Sequence, residues 1–216
     1  MLPTMPTLIF DLDGTLIDSA PAILAAFDSA LRDAGIRPRV ALSAALIGPP
    51  LRDTLALLTG CTDPTLIERC ANDFKTHYDT VGYKATVAYP GIAAMLREFR
   101  ARHVALHLAT NKREVPTRLI VEHLGWSGLF DSIHTLDQHQ PPLAGKACLL
   151  RELIFKHGLR PADTVYIGDR HEDFDAARSC ELGFVGVRWG YGGFGAEAAW
   201  PVANAPSDLI HHVDIG

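Results

Sequence analysis

Short apolar runs alternate with longer stretches of helical periodicity along most of the chain. The runs at 8–10, 104–109, 133–134, 165–167 and 184–187 read as strands. Apart from 133–134 they are apolar in character, as expected where both faces of a parallel sheet are covered. Between them, residues 92–102, 115–124, 147–157 and 171–182 place apolar side chains at helical spacing. Gly125, Gly158 and Gly183 stand just past the last apolar turns as stop signals. This strand–helix–strand repetition predicts an α/β fold with a doubly wound, Rossmann-like parallel sheet.

One interval breaks the alternation. Residues 16–89 show no convincing strand pattern, only helical periodicity at 20–34, 51–58 and 65–78. About seventy residues is far beyond an ordinary crossover. The pattern therefore predicts an α-helical cap inserted after the first strand. Residues 1–15 and 89–216 would form the core domain and residues 16–88 the cap domain. The turn signal Tyr89-Pro90-Gly91 marks the return to the core.

Composition narrows the partners. The 216 residues carry 20 Lys and Arg against 25 Asp and Glu, a formal charge of −5. Such a chain has no bulk attraction for nucleic acid or an anionic membrane surface, so neither is expected as a partner. Any phosphate must be held by a local device. The four cysteines include no C-x-x-C pair, which predicts a reduced, cytoplasmic setting. The first residues lack the basic and apolar regions of a signal peptide. No apolar run approaches the ~20 residues of a membrane helix.

The chemistry concentrates at Asp11-Leu12-Asp13-Gly14-Thr15, directly after the first strand. Alternation with period two sends the carboxylates of Asp11 and Asp13 to one side and Leu12 to the other. In an open α/β sheet, ligands bind at the carboxyl ends of the strands. An acidic turn is the bland reading of Asp and Gly at a strand end. The complete five-residue pattern after an apolar strand is much rarer by chance.

With three further motifs in order, the chain resembles the haloacid dehalogenase-like hydrolase superfamily, in particular its phosphoglycolate phosphatase-like members with a helical cap. Thr110-Asn111 follows the second core strand, Lys146 precedes a helix, and Gly168-Asp169 with Asp173 follows a later strand. The resemblance implies a Mg²⁺-dependent phosphatase acting on a small phosphorylated metabolite. It makes Asp11 the nucleophile, forming an aspartyl-phosphate. Asp13 becomes the general acid and base, with a carboxyl raised by Asp11 and by partial burial. It assigns the metal ligands as the Asp11 carboxylate, the Asp13 carbonyl and the Asp169 carboxylate, with Asp173 orienting waters or Lys146. Thr110, the Asn111 amide and Lys146 would hold the phosphoryl oxygens. Ala147 follows Lys146 where many relatives have Pro.

Other features are weaker. Arg52, near a helix start in the cap, is a candidate to meet a carboxylate or second phosphate on the substrate. Residues Gly190-Tyr191-Gly192-Gly193 lack the Lys and Ser/Thr of a P-loop and read as a structural loop closing the sheet near the site. The ten histidines read as scattered core and surface residues, with His107 a hydrogen-bonded core residue and His134 and His139 lacking a third partner. Alternatives to the phosphatase are a phosphomutase of the β-phosphoglucomutase type and a non-catalytic relative that binds a phosphometabolite. The protein is expected as a monomer or homodimer.

Overall fold

Strand β1 (Thr7–Phe10) lies at the centre of a six-stranded sheet, and its sequence explains why. Leu8 and Phe10 point into one layer with Leu96 and Phe99, while Ile9 points into the other with Leu149, Leu153 and Tyr166. A strand apolar on both faces demands cover on both faces. The computed structural model describes residues 6–194 and 198–212; residues 1–5, 195–197 and 213–216 of the expected core lie outside the described residues.

After β1 the chain runs through β2 (Ile17–Asp18), α1 (Ala20–Asp33), α2 (Leu51–Thr59), α3 (Pro64–Thr80) and β3 (Val87–Ala88). It then forms α4 (Ile92–Ala101), β4 (Ala105–Thr110), α5 (Glu114–His123), β5 (Ser132–Thr135), α6 (Lys146–His157) and β6 (Thr164–Gly168). The last elements are α7 (His171–Ser179), β7 (Gly183–Val187), β8 (Val202–Ala203) and the short α8 (Leu209–His212). The sheet order is β5-β4-β1-β6-β7-β8, and every pair in it is parallel. The chain winds outward from β1 through β4 to β5, then crosses to β6 on the opposite side. That reversal is the topological switch point where open α/β sheets place their ligands.

Two expectations need correction. The sequence shows no strand in residues 16–89, yet β2 pairs antiparallel with β3, Ile17 against Ala88 and Asp18 against Val87. Strand β8 at the sheet edge was likewise unforeseen. A two-residue strand is too short to leave an alternating pattern. The β2–β3 pair clasps the two ends of the helical segment.

Within that segment, α1 buries Ala22, Ile23, Ala26, Phe27, Ala30 and Leu31, a stripe with helical spacing. It packs on α3, where Phe27 meets Phe74 at a centroid distance of 4.6 Å and Phe74 stacks on Tyr78 at 5.7 Å. Helix α3 begins at Asp63, whose carboxylate accepts from the Thr65 amide. Helix α2 ends at Gly60, whose φ of 64° is the left-handed value a helix stop favours in glycine.

The histidines are less scattered than the sequence suggests. His134 Nε2 stands 3.0 Å from His157 Nε2, and the His107 ring lies 4.9 Å from that of His157. His107 Nδ1 bonds Ser132 Oγ at 2.7 Å. Burial, followed by the neighbouring His157 charge, pushes both His107 and His134 down to about 4. Among the described residues no helix is long and apolar enough to cross a membrane.

Candidate active site

The strand register brings the motif residues together. Phe10 lies level with Leu108 on one side and Ile167 on the other. Asp11, Thr110 and Asp169 therefore leave three neighbouring strands at the same edge. The Asp11 amide extends the ladder by donating to the Ile167 carbonyl at 2.9 Å. The chain then turns sharply: Gly14 has φ +85°, and the amides of Thr15 and Leu16 return to the Leu12 carbonyl at 3.2 and 2.9 Å. Leu12 is fully buried, so the alternation predicted for the two acids holds.

Lys146 starts α6 and reaches the carboxylates from the side. Its Nζ is 3.1 Å from Asp11 Oδ1 and 2.5 Å from Asp173 Oδ1. Burial opposes the charge on Lys146, but Asp11 and Asp173 outweigh it and hold the ammonium well above the usual lysine range. Asp173 sits in the first turn of α7, where its other oxygen accepts from the Arg170 amide at 3.0 Å. Both Asp173 oxygens are thus occupied, as suits a residue that positions Lys146.

Asp169 is fully buried. Its Oδ2 accepts from the Tyr191 amide at 2.7 Å, whereas its Oδ1 has no hydrogen-bond donor. Carboxylate oxygens of Asp11, Asp169 and Asp173 all lie within 4.8 Å of one another. Burial raises Asp11 to about 7 against the pull of Lys146, and raises Asp169 to about 6 with help from Asp173. A cation beside Asp11 and Asp169 would return both acids to their ionised form.

Asp13 has other company. Ser19 Oγ donates to its Oδ1 at 2.5 Å, and Lys112 Nζ approaches its two oxygens at 3.1 and 3.3 Å. Lys112 also lies 4.7 Å over the Tyr78 ring of α3. Lys112 directly follows Thr110-Asn111, but nothing local in the sequence marks its contact with Asp13.

The glycine-rich loop proves structural, as expected, and closer to the acids than foreseen. A Cβ on Gly190 would sit 2.3 Å from the Gly14 carbonyl oxygen, and one on Gly192 only 1.8 Å from that of Asp169. Only glycine allows this approach. Between them Tyr191 donates its hydroxyl to Asp18 at 2.9 Å and accepts from the amides of Ser19 and Ala20 at 2.8 and 3.0 Å. The loop thereby ties Asp169 to the start of the helical segment.

A cavity of about 520 Å³ opens above Asp11 and Asp13, and Thr110, Asn111 and Lys146 also line it. Thr110 is buried, and its Oγ1 accepts from the Lys112 amide at 3.2 Å. Arg52 does not line this cavity. Its guanidinium is held at the surface by Glu68, with contacts of 2.9 and 2.7 Å, and its side chain is 60% exposed. The Glu68 partner on α3 could not be foreseen from the position of Arg52 at a helix start.

The chain is similar to known proteins over most of its length. The chain is 33% identical over 220 residues to a phosphoglycolate phosphatase of Cereibacter sphaeroides, covering 96% of this chain and 92% of that protein. It is 31% identical over 194 residues to the tyrosine-protein kinase PtkA of Mycobacterium tuberculosis, covering 85% of this chain. It spans 62% of the length of that kinase. A structure described as a predicted phosphatase from Clostridium acetobutylicum superposes with a TM-score of 0.83 at 26% identity, covering 97% of this chain and 99% of the other. The PtkA structure gives 0.77 at 30% identity, covering 98% and 99%. The sequence profile of the haloacid dehalogenase-like hydrolases matches residues 8–187, the span that holds every acid of the site. On that match, and on the acids gathered at the carboxyl ends of β1 and β6, the chain belongs to the haloacid dehalogenase-like hydrolase family.

Proposed function

We propose that this protein is a Mg²⁺-dependent phosphatase that hydrolyses a small phosphomonoester through an aspartyl-phosphate on Asp11. The supporting observation is the junction of Asp11, Asp169 and Lys146, in which a buried Asp169 oxygen has no donor beside a carboxylate open to the cavity. The Asp11 carboxylate, the Asp13 carbonyl and the Asp169 carboxylate would hold Mg²⁺, which when bound supplies positive charge against the phosphate dianion.

The protein's own groups do the rest. An Asp11 oxygen bonds to phosphorus as the ester P–O bond breaks, and the departing alkoxide takes a proton from Asp13. Water then attacks phosphorus, the bond to Asp11 breaks, and Asp13 takes the proton of that water. Thr110, the Asn111 amide and Lys146 hold the phosphoryl oxygens where charge builds up. Residues 16–88 act as a cap domain over the core formed by 1–15 and 89–216, and exclude water from the chamber. Four free thiols accord with a reduced, cytoplasmic setting.

The test is phosphate release from a panel of phosphorylated metabolites. Turnover should need Mg²⁺, stop on chelation, and fall to background in Asp11→Asn. A chain that isomerises sugar phosphates without releasing phosphate is a mutase. Equal release by wild type and Asp11→Asn would remove Asp11 as nucleophile.

A further inference from the structure

We propose that the leaving group this site is built for is an uncharged aromatic alcohol. The inference rests on the phosphatase reading and names its substrate class. The lining of the cavity that holds Asp11 and Asp13 includes a row of three rings, Phe27, Phe74 and Tyr78, each largely buried. Ile23, Leu46 and Leu51 extend this apolar surface. At about 520 Å³ the chamber lies within the 300–1,000 Å³ typical of sites that enclose whole organic ligands.

Three of the four cations around the chamber are already paired with carboxylates. Lys112 is paired with Asp13, and Arg113 forms a two-pronged pair with Asp79 at 2.9 and 2.7 Å. Lys146 serves Asp11 and Asp173. Arg170 donates to the Ile47 carbonyl at 2.7 Å, and Glu172 adds a negative charge to the lining. Of the four cations in the lining, Arg170, held by a neutral carbonyl, is the one a carboxylate on the leaving group could meet without breaking an ion pair; elsewhere against the apolar walls that carboxylate would remain unpaired, which is costly. An aromatic ring could lie against the aromatic and aliphatic part of the lining and would need no ion pair broken.

The reaction stays a hydrolysis: the phosphomonoester and water give the aromatic alcohol and inorganic phosphate. The P–O bond to the alcohol breaks, with its proton supplied by Asp13.

Benzyl phosphate is the probe, because its alkoxide leaving group resembles that of phosphoglycolate and removes the intrinsic advantage of phenols. With Mg²⁺ and the full chain, kcat/KM for benzyl phosphate should exceed those for ethyl phosphate and phosphoglycolate by about tenfold or more. In Phe74→Ala the benzyl-to-ethyl ratio should fall several-fold, mainly through KM. Leu51→Arg, which adds a cation to the wall and leaves the rings in place, should shift preference toward phosphoglycolate. Wild type that prefers phosphoglycolate to benzyl phosphate, or a benzyl-to-ethyl ratio near one, overturns the inference and leaves the phosphatase reading intact. No release from any of the three substrates, with acetyl phosphate also untouched, overturns the phosphatase reading and the inference with it.

Discussion

In the proposed mechanism, a lysine between two acids is the residue on which the chemistry turns. Lys146 is 11% exposed at its side chain and touches both Asp11 and Asp173, so on that mechanism its charge falls where the attacking carboxylate would meet the phosphoryl group. Lys146→Met should lower kcat by roughly 10²–10³, the cost of losing one fixed stabilising donor. The measurement is kcat on any substrate the wild type turns over; a loss confined to KM would instead make Lys146 a binding contact. Asp11, Asp13 and Asp169 were legible because each follows a recognisable strand and the strand's period sets its direction. Lys146 was legible only through the motif order. Lys112 and Tyr191 were not, because their partners Asp13 and Asp18 lie 99 and 173 residues away and no local pattern records such a contact. The Glu68 partner of Arg52 was illegible for the same reason, since it sits on another helix.

At the scale of elements, the glycine loop after β7 and the contacts across the chamber fix how the helical segment meets the sheet. Gly190→Ala would drive a Cβ against the Gly14 carbonyl and the Asp169 side chain, so the loop must shift and the Tyr191–Asp169 bond lengthen. Weaker Mg²⁺ binding is the expected result, by roughly 10–100-fold, as for loss of a partner that orients a metal ligand. Titration of Mg²⁺ against intrinsic fluorescence checks it, and an unchanged affinity would count against the loop's role. On the far side, Arg113 leaves the end of β4 and grips Asp79 on α3, both less than a third exposed. Asp79→Asn halves that grip. Hydrogen exchange at the β2 and β3 amides should then quicken by about tenfold, the factor for ~1.4 kcal/mol of easier local opening. Exchange at the wild-type rate would mean that the clasp stands without the ion pair. Periodicity predicted the long helices and the five main strands to within a few residues at each end. It missed β2, β3 and β8 because two residues carry no period, and these short pieces exist through their partners alone.

Over the whole molecule, burial sets two opposing dependences on pH. His107 and His134 stand at about 4 when folded, against an ordinary value of 6.5. Below pH 6.5 the unfolded chain takes up protons that the folded chain refuses, so their contribution is intact above 6.5 and is lost as pH falls toward 4. Asp11 and Asp169, raised to about 7 and 6 from 3.8, work the other way in the metal-free chain. The folded state keeps protons that the unfolded state releases, a contribution present below about 4 and lost as pH rises through 6 and 7. Total stability mixes the two, and a single substitution separates them. His134→Asn removes one titrating imidazole and leaves the acids at the strand ends in place. At pH 7.5 the wild type should be the more stable, because it keeps the contact between His134 and His157. On going to pH 5 its advantage should shrink by roughly 2 kcal/mol, the linkage expected for one histidine moved from 6.5 to about 4. Urea unfolding of both proteins at the two pH values measures this directly. A stability gap that stays constant with pH would mean that His134 titrates alike in folded and unfolded chains, and that its burial between β4 and α6 exerts no hold on its proton.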